Sequence, residues 1–169
     1  MRETILSAAR VVLIRGDLTG WTMAEVAREA GCAKGLVHYH FKTKATLLRD
    51  VAAAMKESRT EARIAALSSE GTAALDSLWA VLKRETASGE FRTWLGLLAL
   101  DQKELREILH RHAGPGLGKA AAEALALPVV PPDGFLEAIL DGFQIALLGN
   151  ADPAELRDAY DRFWLGLLG

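Results

Sequence analysis

The sequence predicts an all-helical protein, and three observations support that fold class. Half of the 169 residues are hydrophobic and a quarter are charged, a balance that lets a chain of this length bury a core. Apolar residues recur at helical spacing, and no stretch of alternating β-branched residues predicts a half-buried strand. Only five prolines occur, so few positions interrupt a helix. We therefore expect about nine helices, with a head of three helices followed by a helical-bundle body.

The first fifty residues predict the three helices of the head. Arg2–Arg15 carries apolar residues at helical spacing, and Gly16 ends it. Thr22, with a glutamate three residues later, has the pattern of a capping box at the start of a second helix. Gly31 ends that helix, since glycine tolerates the left-handed conformation of a helix C-terminus. A third helix, Lys34–His40, follows after a short turn, and this spacing is the geometry of a helix-turn-helix.

The remainder of the chain predicts longer helices that form the body. A fourth helix, capped by Thr43, carries apolar residues as far as Leu67 and joins the head to the body. Further helices are expected at about 72–87, at 91–100, from 103 to a break at Gly114-Pro115-Gly116, at 133–148 and at 152–168. Asp152, Pro153 and Glu155 predict a second capping box. The helix at 133–148 is apolar on most sides and needs cover on most sides, for which we expect a second copy of the chain.

Charge is distributed unevenly along the chain. The formal net charge is −2, but residues 1–50 carry +3 and residues 51–169 carry −5. A basic head on an acidic body is the asymmetry expected where one end of a protein meets phosphate. A single cysteine, Cys32, excludes a disulfide framework within the chain. Because the sequence has neither a secretory signal nor an apolar run of membrane-spanning length, we expect a cytoplasmic protein.

The residues in and around the third helix suit contact with DNA, because the second helix of such a motif enters the major groove. Lysine neutralises a phosphate or reaches a base edge, glycine lets the backbone approach closely, and tyrosine and histidine offer hydrogen bonds on short side chains. We expect these contacts at Lys34, Gly35, Tyr39 and His40 in the third helix, and at Thr22 and Lys44 on its flanks.

The segment from Thr22 to Leu48 resembles the signature of tetracycline-repressor-type (TetR) regulators. The positions that agree, in order and without gaps, are Thr22, Val26-Ala27, Ala30-Gly31, Gly35, Tyr39-His40-Phe41, Lys44 and Leu47-Leu48. The resemblance implies a homodimer in which each head reads half of a palindromic operator and a small molecule bound in the body releases the DNA. It also implies the DNA contacts named above, a core position for Phe41, and a division into a DNA-binding domain, 1–46, and an effector-binding and dimerisation domain, 47–169.

Two positions depart from the family pattern. Ala33 stands where the family usually has Ser or Thr, and alanine cannot cap the recognition helix, at a cost of about 1 kcal/mol. His38 stands where the family usually has Tyr. It is a further candidate DNA contact, at which the change of residue is expected to alter the DNA sequence recognised or to weaken a phosphate contact. Cys32 is expected to fill the turn as a small apolar residue, with a redox switch as the alternative.

The body contains two sets of candidate site residues. The candidate effector-pocket residues are Trp79, Phe91, Trp94, His110 and Phe143. The alternative for the aromatic residues is that they belong to the ordinary hydrophobic core. Gly114-Pro115-Gly116 could open an entrance to such a pocket, and the alternative there is an ordinary helix terminus. The candidate dimer-interface residues are Phe135, Ile139, Gly142, Tyr160, Phe163 and Trp164. For the last three the alternative is a core within the chain.

A helical metal-dependent enzyme is the rival class of function. Glu107 and His110 have the spacing used in di-iron bundles, but such a site needs a second copy of the motif. His110 and His112 would lie on different faces of a helix. The sequence has no glycine-rich phosphate loop and no nucleophile elbow. We therefore expect no catalytic residue, no metal and no cofactor, and a DNA-binding dimer without effector control stays open as the second alternative.

Overall fold

A computed structural model describes residues 1–16, 18–100 and 116–168. These residues form nine α-helices and no strand, which confirms the predicted all-helical class. The helices are α1 (Arg2–Arg15), α2 (Met23–Glu29), α3 (Lys34–His40), α4 (Lys44–Ala66), α5 (Thr72–Ala87), α6 (Glu90–Ala99), α7 (Leu117–Leu125), α8 (Asp133–Leu148) and α9 (Pro153–Gly166). None of these described helices has the length and hydropathy that a bilayer span requires.

The observed helix bounds follow the predicted ones within a few residues. α7 begins at Leu117, directly after the expected break at Gly114-Pro115-Gly116. The predicted helix from Lys103 to that break lies outside the described residues. At the start of α9, the Asp152 carboxylate accepts hydrogen bonds from two amides of the first turn, at 2.7 and 3.2 Å. Of the predicted capping box, the N-cap by Asp152 is confirmed, whereas the described hydrogen bonds include no return bond from the Asp152 amide to the Glu155 side chain.

By packing, the chain divides into two compact units. The N-terminal unit consists of Met1–Glu57 and Gly89–Arg111, and the C-terminal unit consists of Ser58–Ser88 and His112–Gly169. The boundary at residue 46 concerns the division of function and stays a prediction. The packing units do not divide at residue 46. The part of α4 up to Glu57 and the whole of α6 belong to the same unit as the head.

The N-terminal unit has an apolar core formed by the inner faces of α1 to α4 together with one leucine of α6. Ile5, Val26 and Phe41 are fully buried in it, as predicted for Phe41. Burying one such side chain contributes about 1.5–3 kcal/mol. Trp21, directly before the cap of α2, is buried in the same core. This core fixes α2 and α3 against α1, while α3 buries only Val37.

The C-terminal unit has its own core, formed by the end of α4 with α5, α7, α8 and α9. An aromatic cluster belongs to this core, in which the ring centroid of Tyr160 lies 4.9 Å from that of Trp79 and 5.4 Å from that of Phe143. The Tyr160 hydroxyl donates a hydrogen bond to the carbonyl of Leu75 at 3.1 Å. Its polar end is therefore paired inside the unit, as a buried hydroxyl requires.

The prediction that Tyr160 and Trp164 form a dimer surface is wrong. Their side chains are 0% and 1% exposed, because the apolar stripe of α9 packs against α8 and beside α5 of its own chain. A partner chain could reach neither residue without unpacking this core. Phe163, on the same helix, is only half-buried and remains a candidate.

Candidate nucleic-acid interface

The turn between α2 and α3 is fixed by its backbone. Gly31 has a φ of +63°, in the left-handed region that favours glycine. The amides of Gly31 and Cys32 donate to the last turn of α2, at 3.2 Å to the carbonyl of Arg28 and 2.9 Å to that of Ala27. These bonds close the C-terminus of α2 and let α3 begin at Lys34, so the predicted helix-turn-helix bounds are confirmed.

The start of α2 is held by the predicted capping box. The Thr22 hydroxyl accepts a hydrogen bond from the amide of Glu25 at 3.2 Å, and the Glu25 carboxylate accepts one from the amide of Thr22 at 2.7 Å. Two amides that the helix leaves without a partner are satisfied in this way. Thr22 is exposed, so it stays available on the surface at the start of the motif.

α3 presents most of its side chains to solvent. Ala33 at its N-cap makes no side-chain hydrogen bond, in line with the loss of a cap at this position. A β-carbon added at Gly35 would meet no heavy atom within 4 Å, which leaves room for the backbone to come close to a partner. Of the predicted contact residues, Lys34, Gly35, His38 and Tyr39 are exposed and His40 is half-buried. The structure thus places all five on one short exposed helix.

Tyr39 is the most exposed aromatic side chain of this surface, at 69%. Its ring meets that of His40 edge to face, with centroids 5.2 Å apart. The ammonium of Lys42 lies over the same ring, 5.5 Å from its centroid. Sequence reasoning missed Lys42, although a lysine two residues after the recognition helix was the signal that could have found it.

Lys44, the remaining predicted contact, is the first residue of α4 and is exposed. Its ammonium donates hydrogen bonds to the carbonyls of Trp21, at 2.5 Å, and of Thr19, at 3.2 Å. It also lies 4.5 Å from the centroid of the Trp21 ring. The side chain is therefore engaged within the head.

The candidate pocket residues fall in two different units. Trp79 and Phe143 lie in the C-terminal unit, with ring centroids 6.4 Å apart. Phe91 and Trp94 are buried residues of α6, in the N-terminal unit. His110 lies outside the described residues, as does the rest of the predicted Glu-x-x-His motif.

The C-terminal unit also has a cleft of about 420 Å³ where α4 ends beside α7. Ile64, Ser68 and Glu123 are among its lining residues, and none of the candidate pocket residues lines it. The chemistry of this cleft is therefore different from the aromatic pocket that the sequence predicts.

A buried ionic cluster in the C-terminal unit was not predicted. Arg59 and Arg63 of α4 donate to one oxygen of Asp141 in α8, at 2.9 and 2.6 Å. Both also donate to the side-chain oxygen of Gln144, at 2.9 and 2.8 Å. Arg59 donates to Glu85 of α5 at 3.2 Å. We call these five residues the arginine cluster; it ties the last turns of α4 to α5 and α8.

The charges of the arginine cluster balance, with two guanidinium groups against two carboxylates. Burial by itself raises the pKa of Asp141, but the attraction of Arg63 and Arg59 outweighs it and holds that pKa below its ordinary value. The amide nitrogen of Gln144 donates to Glu85 at 3.1 Å, which joins the two halves of the cluster. Asp141 thus remains ionised beside two cations, and the cluster fixes the geometry of three helices.

Within the described parts of the chain, no group of three or more His, Cys, Asp or Glu side chains is placed to hold a metal ion. The single Cys32 is half-buried and packs against the core of the head.

Comparison with known protein families identifies this head. Residues 5–51 match the model of the tetR family of bacterial regulatory proteins. The head is therefore similar to the DNA-binding domain of tetR-family regulators. The match contains α2, the turn, α3 and the start of α4, which are the elements whose geometry is described above. The proteins of this family are described as bacterial regulatory proteins.

Solved structures extend the likeness to the rest of the chain. LfrR, a TetR-like transcriptional regulator from Mycobacterium smegmatis in complex with proflavine, is 22% identical with a TM-score of 0.64, covering 97% of this chain and 94% of that one. A TetR-family regulator from Haemophilus influenzae is 18% identical with a TM-score of 0.66, covering 96% and 93%. A TetR regulator from Rhodococcus is 16% identical with a TM-score of 0.56, covering 99% and 95%. The chain therefore has the fold of TetR-family regulators, while no curated protein matches it.

Proposed function

We propose that this protein is a ligand-responsive transcriptional repressor that leaves a palindromic operator when a small molecule binds. The observation that carries the proposal is the exposed face of α3, held by a capped α2 and the Gly31 turn inside a TetR-family domain. In helix-turn-helix proteins the second helix reads base edges and the first crosses the backbone. The proposed DNA contacts are Thr22, Lys34, Gly35, His38, Tyr39, His40 and Lys44.

The proposed homodimer uses the outer face of α8 with the adjoining part of α9. Phe135 and Ile145 are 47% and 53% exposed, and large apolar side chains that share an exposed face mark an interface. A β-carbon at Gly142 would meet nothing within 4 Å, which leaves room for close approach of a second helix. With Ile139 and Phe163 half-buried beside them, these residues form the proposed contact. Two heads then face the two half-sites of a palindrome.

The effector is proposed to bind in the C-terminal domain, residues 47–169. Support comes from LfrR, which was solved with proflavine, and from the edge-to-face pair of Trp79 and Phe143, which suits a planar apolar ligand. Phe91, Trp94 and His110 remain candidates from the sequence. Effector binding would favour a conformation whose heads are wrongly spaced for DNA, and by linkage DNA would weaken effector binding by the same factor.

The test of DNA binding is fluorescence anisotropy with labelled duplexes. We expect the protein to bind a palindrome from the promoter region of its own gene at least about 10³-fold more tightly than a scrambled duplex of the same length at the same salt concentration. Equal affinity for both duplexes would overturn the proposal that the protein recognises a specific DNA sequence. Light scattering on the same sample measures the mass, for which we expect a dimer at micromolar concentration.

The alternative function is a constitutive DNA-binding dimer without an effector. The close packing of Trp79 and Tyr160 inside the C-terminal unit favours it, because a filled core leaves no room for a ligand there. Titration of the protein–DNA complex with proflavine and a panel of planar aromatic compounds separates the two. A compound that both binds the protein and weakens DNA binding supports the repressor, whereas unchanged DNA affinity across the panel supports the constitutive dimer.

A further inference from the structure

The exposed side of α3 carries a histidine between two lysines. Lys34 precedes His38 by four residues in the same helix, and residues at this spacing lie next to each other on one helix face. Lys42 follows His38 by four residues, just beyond the end of α3, with its ammonium 5.5 Å from the centroid of the Tyr39 ring. All four side chains are exposed. The imidazole of His38 therefore belongs to a cationic surface that is open to a partner.

Within the described residues, no carboxylate is paired with His38. α3 itself contains neither Asp nor Glu. The helix that packs against α3 is α2, whose Glu25 is held in its own capping box and whose Glu29 pairs with Arg15 at 2.9 Å. The remaining charged residue of α2 is Arg28, a cation.

The carboxylates of α1 and of the start of α4 are also paired with other residues. Glu3 and Asp50 both pair with Arg2, at 3.3 and 2.6 Å, and Lys44, the first residue of α4, is a cation. A proton on His38 therefore has no carboxylate partner in the described part of the head. An anion that stabilises this proton has to come from outside the chain.

DNA phosphate is such an anion. An imidazole without partners titrates at about pH 6.5, so a small change in its surroundings moves it across neutral pH. A phosphate oxygen that accepts the ring N–H favours the protonated form, and the two lysines draw the DNA backbone to the same face. Binding to DNA then takes up protons. A neutral side chain at this position could donate a hydrogen bond to phosphate but would take up no proton.

We propose that His38 binds a backbone phosphate of the operator in its protonated form, so that affinity for DNA rises as the pH falls. The inference rests on the proposed function, since it concerns how the same surface holds DNA. It adds a condition, pH, to which operator binding responds.

The other histidine of α3 provides the matched control. His40 is half-buried, and its ring lies against those of Tyr39 and Phe41, with centroids 5.2 and 6.5 Å apart. It belongs to the same helix and has the same titratable group, but its ring packs against aromatic neighbours within the head. His40→Gln should therefore keep the ratio of affinities between low and high pH, whatever affinity it loses at both.

The experiment measures operator affinity by anisotropy at about pH 5.5 and about pH 8.5, on either side of the titration of a histidine. For the wild type we expect about tenfold tighter binding for each head at the lower pH, which corresponds to a change of one unit in the protonation equilibrium. The salt slope should be steeper there by about 0.9 for each head. His38→Gln, and His38→Tyr as a second neutral variant, should lose most of both differences. Circular dichroism at each pH checks that every variant is folded.

A ratio of affinities in His38→Gln and His38→Tyr equal to that of the wild type would overturn the inference. Loss of the ratio in His40→Gln alone would do the same, because the proton would then belong to His40. A ratio that depends on His38 without a change in salt slope would place this side chain at a base edge and refute the phosphate contact. If the wild type binds all duplexes equally, the proposed function fails, while the pH dependence with a scrambled duplex still decides the role of His38.

Discussion

Asp141→Asn tests whether the arginine cluster holds the C-terminal unit together. The substitution keeps the shape of the side chain and removes one of the two negative charges that face Arg59 and Arg63. A net positive charge is then left among side chains that are 3–6% exposed. Breaking a buried ion pair by removing one partner costs about 3–5 kcal/mol. Since the Asp141 side chain is itself 21% exposed, we expect a loss near the lower end, about 3 kcal/mol.

The assay is thermal and urea unfolding at pH 7, followed by far-ultraviolet circular dichroism. For a chain of this size about 3 kcal/mol corresponds to a fall in Tm of about 6–12 °C. The matched control is Asp158→Asn, because Asp158 pairs with Arg162 on the surface of α9 at 2.6 Å. An exposed pair of this kind is worth at most about 1 kcal/mol. The reasoning is refuted if the free energy of unfolding of Asp141→Asn lies within about 1 kcal/mol of the wild-type value, or if this variant is as stable as the control.

The same variant has a definite pH dependence. The pKa of Asp141 is lowered in the folded protein, so its charge stabilises the fold at every pH above its unfolded pKa of about 3.9. That contribution is lost as the pH falls from there through the folded pKa. The difference in free energy of unfolding between the wild type and Asp141→Asn should therefore have its full size at pH 7 and decrease below about pH 4.

Three further substitutions test the head and the dimer. Gly31→Ala places a β-carbon at a φ of +63° and should lower the free energy of urea unfolding by about 1 kcal/mol. The control is Gly35→Ala, at a helical position where a β-carbon meets no other atom, and it should stabilise the fold slightly while weakening operator binding. Tyr39→Ala should change the sequence preference in a selection from randomised duplexes, with a discrimination of about 1–3 kcal/mol lost at one base pair, and an unchanged preference would contradict its proposed role. Phe135→Lys should give a monomer by light scattering, while Val129→Lys, at an exposed position in the connector before α8, should remain a dimer.

The head was predictable from the sequence because its signals are local. A capping box needs only residues three apart, and the end of α2 needs only a glycine that tolerates positive φ. Thr22 with Glu25, and Gly31, therefore gave the observed bounds of the motif. The same holds for Asp152, whose cap on α9 depends on the two amides that follow it.

The body was less predictable because its contacts join distant residues. The apolar stripe of α9 shows that Tyr160 and Trp164 are buried, but not whether their own chain or a partner covers them. In the arginine cluster, Arg59 and Asp141 are 82 residues apart in sequence, so no local pattern links them.

The same distinction applies to the charge of the head as a whole. The first fifty residues contain eight Lys and Arg residues, which the net charge counts as equal. The structure pairs four of the arginines with carboxylates, Arg2 and Arg49 with Asp50, Arg10 with Glu90, and Arg15 with Glu29. The cations that form no ion pair within the described residues are Arg28, Lys34, Lys42 and Lys44, the last of which is a proposed DNA contact.

The salt dependence of operator binding should reflect these four residues and not all eight. A cation that neutralises a phosphate contributes about −0.9 to the slope of log K against log salt concentration. Four for each head, hence eight in a dimer, give a slope of about −7, whereas eight for each head would give about −14. Anisotropy titrations between 50 and 200 mM salt distinguish these values readily, because the two slopes correspond to about 10⁴-fold and about 10⁸-fold losses of affinity. A slope steeper than about −10 would show that the paired arginines leave their carboxylates for phosphate when DNA binds.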